Sequence, residues 1–139
     1  MFTYTRRVRF AECTLGNHVL YSRYLDMIEE ARGEFFRTAV GKSFVELIRE
    51  GWMFPVTSFQ IEYKRPARYD DVLSIDVDLR RVTRLKLHVS YLLKIQPDTL
   101  CAKAEIFYYS AGLDEMPQRM PMELAETMQK LVELPQALG

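Results

Sequence analysis

The chain has 139 residues, 48% of them hydrophobic and 12% aromatic, which excludes disorder and allows a sizeable core. Nineteen Lys and Arg balance nineteen Asp and Glu, so composition gives no support to nucleic acid or an anionic membrane as partner. No apolar run approaches the roughly 18–20 residues needed to cross a bilayer, the first residues lack a signal-like apolar segment, and two cysteines (Cys13, Cys101) cannot build a disulfide scaffold, so a cytoplasmic protein is expected.

Residues 3–11 alternate loosely, with Tyr4, Arg6, Val8 and Phe10 on one side, and read as a first strand. The turn-forming run Thr14-Leu15-Gly16-Asn17-His18 leads into a long amphipathic helix. Tyr21, Leu25, Ile28, Ala31, Arg32, Phe35 and Ala39 recur at three- and four-residue steps, which places them on one stripe. Asn17 or Ser22 could cap its start, and Gly41 stands where a left-handed C-terminal cap is expected. Ser43 then caps a short helix carrying Phe44, Leu47 and Ile48, which ends at Gly51.

Four strands follow. Residues 53–64 alternate at Thr57, Phe59, Ile61 and Tyr63 before Pro66 stops the run. Residues 72–82 set Leu73, Ile75, Val77 and Leu79 against Ser74, Asp76, Asp78 and Arg80, the pattern of a half-buried antiparallel strand. Residues 85–95 and a last strand through Leu100, Ala102, Ala104, Ile106 and Tyr108 are joined by the turn Gln96-Pro97-Asp98-Thr99. Pro121 opens a final helix to about Glu133, with Leu124, Met128 and Leu131 on one side. Segregated helices and an antiparallel run of strands predict one α+β domain over residues 1–139, with about five strands wrapped around one long central helix. Such a sheet leaves an edge and a face uncovered, for which self-association is the natural remedy.

Several segments, in order, resemble one family. Val8-Arg9-Phe10-Ala11-Glu12 is similar to its first strand and the acidic start of its active-site loop. His18-Val19, Tyr24-Leu25, and Glu29 with Ala31-Arg32 are similar to its helix signature, and Ile61 to Asp71 to its I-x-Y-x-x-P-A-x-x-x-D segment. Met116 to Pro121 resembles its closing motif before the last helix. The chain thereby resembles the hotdog-fold acyl-CoA thioesterases of the 4-hydroxybenzoyl-CoA thioesterase type, including those associated with the Tol-Pal system. The resemblance implies a hotdog fold and a homodimer or homotetramer with the active site between subunits. An acyl-CoA or acyl-carrier-protein thioester would be hydrolysed there, with coenzyme A present only as part of the substrate. Backbone amides at the start of the long helix, Tyr21 foremost, would hold the thioester oxygen, helped by the helix dipole.

In three places the sequence departs from that pattern. The family's catalytic Asp falls on Thr14 and its usual Gly on Asn17, while position 21, often His in the Tol-Pal group, is Tyr. Thioesterases of enediyne polyketide pathways also lack the acid, and resemblance to them assigns water positioning to Tyr24 and Arg32, with Thr14 at the acid's position. A base is typically worth about 10²- to 10⁴-fold in rate and an oxyanion donor about 10²–10³, so losing only the base leaves a slower hydrolase.

The remaining candidates each carry two readings. Glu12, two residues from Thr14, either replaces the missing carboxylate or accepts backbone N–H groups near the helix start. His18 either transfers a proton or packs in its loop. Arg32, on an apolar stripe, must be paired, with Glu29 or Glu12. Lys64, Arg65, Arg68 and Arg84, with Arg80 and Arg81, lie near strand ends and either hold the phosphates of coenzyme A or form a solvated rim. Phe107-Tyr108-Tyr109 either lines an acyl tunnel or is ordinary sheet core. Cys13 beside Thr14 has no feature that would activate its thiol, and His88 receives no role. The His and Cys count supports no metal site. Two alternatives to hydrolysis remain: a hotdog hydratase or dehydratase using His18 and Glu12, and a non-catalytic acyl-thioester binder.

Overall fold

The computed structural model describes residues 1–133. Strand β1 (Phe2–Arg7) is followed by a 3-10 turn (Phe10–Glu12), helix α1 (Arg23–Phe35), a π-helical turn (Phe36–Val40) and helix α2 (Phe44–Arg49). Strands β2 (Val56–Tyr63), β3 (Val72–Val82), β4 (Lys86–Ile95) and β5 (Thr99–Tyr109) precede helix α3 (Met122–Glu133). The five strands form one antiparallel sheet in the order β1-β3-β4-β5-β2. α1 is buried against its concave face. None of the helices among the described residues is long and apolar enough to cross a membrane.

α1 forms where the apolar spacing predicts, but its inward face is set by Tyr24, Met27, Ile28, Ala31, Arg32 and Phe35. Ile28 and Ala31 are fully buried, and Leu25 lies at the edge of the stripe. Tyr21 does not belong to the helix. It lies in the preceding turn, 69% exposed, with its carbonyl held by the Tyr63 hydroxyl at 2.9 Å. The strand predicted over residues 3–11 also ends early, at Arg7. Its last residues coil into the 3-10 turn because the Glu12 carboxylate accepts the Arg9 backbone N–H at 2.7 Å. At the helix's far end the Gly41 N–H donates to the Phe36 carbonyl, five residues back, which widens the last turn and keeps both Phe36 and Val40 in the core.

Gly41 then turns the chain with φ of 91°, and Ser43 and Glu46 form a reciprocal capping box for α2. Nothing lies within 4 Å of a Cβ built on Gly41, so Gly41→Ala meets only the left-handed backbone penalty. That substitution should lower stability by about 1 kcal/mol, read as a shift in the urea midpoint at unchanged slope.

Burial follows the predicted alternation in β3, where Leu73, Ile75, Val77 and Leu79 face the core. Ala102 and Ala104 of β5 are buried too. β2 departs from this pattern. A bulge between Val56 and Ser58 puts Val56, not Thr57, opposite Tyr108. Phe59, Ile61 and Tyr63 pair with Ile106, Ala104 and Ala102, so they share the core-facing side, yet Val56, Phe59 and Tyr63 are about half exposed. Ile61 packs against the core and the Tyr63 ring meets Tyr24 of α1 at 5.4 Å, but among the described residues the rest of the stripe stays half uncovered.

Candidate active site

The site is built from the loop before α1. Cys13 and Val19 bridge across it, the Thr14 N–H donates to the His18 carbonyl at 2.8 Å, and the Asn17 N–H donates to the Thr14 carbonyl at 3.0 Å. Asn17 occupies the left-handed region with φ of 57°, a conformation that Asn tolerates better than most side chains and that glycine adopts freely. Asn17 also anchors the loop outward, since its carbonyl accepts from Arg68 Nη1 at 3.2 Å and its Oδ1 accepts the Tyr69 N–H at 3.3 Å. Inside the turn, Thr14 Oγ1 accepts the Gly16 N–H at 3.3 Å and lies 3.4 Å from His18 Nε2. A Cβ on Gly16 would sit 3.2 Å from the exposed His18 ring, which would have to shift by a few tenths of an ångström.

The loop delivers the chain to α1 without a capping side chain. Ser22 occupies the N-cap position in right-handed helical conformation, and its hydroxyl caps nothing. Leu20 N–H donates to the Glu12 carbonyl and Arg23 N–H to the Leu20 carbonyl, while the N–H groups of Tyr21 and Ser22 meet no acceptor among the described residues. Two free donors therefore stand at the positive end of a 13-residue helix. Beside them is a cavity of about 240 Å³ lined by His18, Leu20, Tyr21, Tyr24, Tyr63 and Lys64, among others.

The candidate residues divide into those at this cavity and those elsewhere. His18, Tyr21 and Lys64 line the cavity, Thr14 stands beside His18, and Arg68 is not among the lining residues but is held at the loop by the Asn17 carbonyl. Arg65 also lines the cavity. Glu12 is committed elsewhere: its carboxylate lies 2.6 Å from Arg6 Nη2, and Arg6 also pairs with Glu30 at 3.3 Å. Tyr24 is buried, and its hydroxyl accepts the Ala67 N–H at 3.0 Å with the Cys101 thiol alongside. Burial pushes the Tyr24 phenol well above its ordinary range, so it stays neutral. Arg32 lies two turns further along α1, paired with Glu29 at 2.7 Å rather than with Glu12. Arg84 is not at this cavity; it lies in the β3–β4 turn, at the other end of the sheet, donating to the Met120 carbonyl at 2.9 Å. Burial also raises the Cys13 thiol, with Glu12 and Asp71 adding to the shift, which leaves no argument for a thiolate nucleophile. Of the aromatic run near the chain's end, only Tyr108 faces the core, while Phe107 stacks on His88 outside it.

Residues 8–138 match the thioesterase-like superfamily. The chain belongs to that superfamily. Its architecture, five antiparallel strands around a central helix, is the hotdog fold, and a solved protein of Aquifex aeolicus superimposes with a TM-score of 0.85 at 30% identity, covering 92% of this chain and 99% of that one. The long-chain acyl-CoA thioesterase FadM of Escherichia coli K12 is 28% identical over 92 residues, or 66% of this chain and 68% of its own length. A Staphylococcus aureus protein solved in complex with CoA shares the fold at 16% identity, with a TM-score of 0.87 over 99% of this chain and 91% of that one. Acyl-CoA thioesterase activity is thus present among curated members of the superfamily.

Sequence reasoning missed Tyr63 as a contributor to the site. Its hydroxyl donates to the Tyr21 carbonyl, and so fixes the plane of the peptide whose N–H belongs to Ser22. Tyr63→Phe should lower kcat about five- to tenfold with little change in KM, the share of one hydrogen bond, as steady-state kinetics would register.

Proposed function

We propose that the chain hydrolyses acyl thioesters, of coenzyme A or of a carrier protein, at the start of α1. The observation that carries this reading is the pair of unengaged Tyr21 and Ser22 N–H groups at the start of α1, where Tyr21 and His18 both line a cavity. The relatives' named activities point the same way. The thioester carbonyl oxygen accepts from these two donors, and the helix dipole supports the negative charge that develops there. Water bound at the open side of the His18–Thr14 pair attacks the carbonyl carbon, and the imidazole takes its proton. Collapse of the tetrahedral intermediate breaks the C–S bond, and the leaving thiolate recovers a proton. Lys64, Arg65 and Arg68 stand where the phosphates of the coenzyme A portion would lie.

A second copy of the chain completes the crevice in this reading. The half-exposed side chains Val56, Phe59 and Tyr63 run along the edge strand next to the cavity, and Leu15, fully exposed, stands at the loop's tip. Covering them is what an obligate homodimer would do.

The hydratase reading loses its acid, because Glu12 is held by Arg6 and by the Arg9 N–H. A non-catalytic binder keeps one supporting observation: the Thr14 hydroxyl is partly engaged by the Gly16 N–H. Thiol release over a panel of acyl-CoA and acyl-carrier-protein thioesters separates the two. Hydrolysis is expected to exceed the uncatalysed rate; saturable binding with no release would replace the hydrolase by the binder.

A further inference from the structure

A second cavity, of about 270 Å³, opens further along α1 and contains Arg32 in its wall. Phe44, Trp52, Phe54 and Pro55 supply apolar surface around the guanidinium, and Glu115 also borders the space. Arg32 is 9% exposed, and it stacks against Tyr108 at 4.4 Å and Phe44 at 4.9 Å. Its five N–H groups are incompletely used. Nη1 donates to the Phe54 carbonyl at 2.8 Å and Nη2 to Glu29 at 2.7 Å, while Nε is buried without an acceptor. Nε is closed off as well as unpaired, so one N–H on each of Nη1 and Nη2 is left over by an ion that is expensive to bury.

The charge around Arg32 decides what fits. Glu29 already balances the guanidinium, and Glu115 adds negative charge at the border, so a carboxylate ligand would meet surplus like charge. Burial pushes the Tyr108 phenol up to about 12, so Tyr108 remains neutral and alters nothing in this balance. A neutral oxygen acceptor on an apolar chain matches both the leftover donors and the walls.

Position links this cavity to the thioester site. Leu25, Glu29 and Arg32 follow one another along α1, with Tyr21 in the turn before it, while β2 starts just after Pro55, at this cavity, and ends at Tyr63, at the other. Arg32 lies ten residues past Ser22, so roughly 15 Å along the helix axis. We infer that this cavity receives the distal part of the acyl chain, and that Arg32 selects chains bearing a keto or hydroxyl oxygen roughly 15 Å from the thioester. Arg32 is a specificity residue in this inference, which rests on the thioesterase reading above.

The test uses equilibrium binding of hydrolysis-resistant thioether analogues of acyl-CoA to the unmodified chain. Two analogues of equal length are compared, one saturated throughout and one with a distal keto group; a third ends in a carboxylate. The keto analogue should bind at least tenfold more tightly than the saturated one, and the carboxylate analogue should bind no better than the saturated one. Arg32→Met should erase the keto preference. Equal binding of the keto and saturated analogues overturns the inference and leaves the thioesterase reading standing, as does tightest binding by the carboxylate. Failure of all three to bind removes both readings together.

Discussion

Thr14→Asp should raise kcat/KM for thioester hydrolysis by about 10²-fold or more, the range a positioned base supplies. The substitution suits the turn already present. Thr14 Oγ1 accepts the Gly16 N–H, and an aspartate oxygen can make the same bond to an amide two residues on, leaving its second oxygen free. That second oxygen would stand close to His18, which lines the helix-start cavity. The free Tyr21 and Ser22 amides are unaffected by the change, so the proposed oxyanion donors remain as they are. Thiol-release kinetics on wild type and variant decide the matter: no gain in a variant of unchanged fold would mean that the missing carboxylate is not what limits the rate.

Arg6→Met should destabilise the chain by about 3–5 kcal/mol, the cost of leaving buried carboxylate charge without its partner. Arg6 and Glu12 have side chains only 5% and 12% exposed, and Arg6 also approaches Glu30, whose other contact is the Tyr4 hydroxyl. This cluster ties β1 to both the entrance of the loop before α1 and α1 itself. Denaturant unfolding measures the loss. Because Glu12 also accepts the Arg9 N–H and its carbonyl accepts from Leu20, the variant should lose activity beyond what its unfolded fraction explains. A double change, Arg6→Met with Glu12→Gln, should recover part of the stability by removing the orphaned charge. Full stability in the single variant would show that the ion pair contributes nothing net.

The sequence announced those parts of the fold whose neighbours lie in the same element or the next. β3 was legible because one of its faces is buried, which writes Leu73, Ile75, Val77 and Leu79 at period two. The pairing of Arg32 was half legible: Glu29 stands three residues away on the same helix, within reach by geometry alone. Glu12 was not, because its partner Arg6 becomes available only once β1 pairs with β3 and α1 packs behind it. Tyr63 read as a strand residue, since nothing in its spacing reveals that its hydroxyl meets a carbonyl 42 residues earlier. Nor was it legible that Tyr21 stands outside the helix, because its apolar ring fits the stripe that the helix then abandons. β2 misled for a different reason: its alternation is that of a covered strand, and the described residues of this chain leave it half uncovered.

The widened turn at Phe36–Val40 has a geometric corollary for everything downstream. Shortening it by a single residue would convert it to an ordinary helical turn and swing the chain beyond Gly41 by about 100° around the axis of α1. Phe44 and Leu47 would then be carried off their present seats, and the guanidinium would face a differently shaped wall. Indel length at this joint would therefore reshape the cavity beside Arg32, which Phe44 and Leu47 help to line.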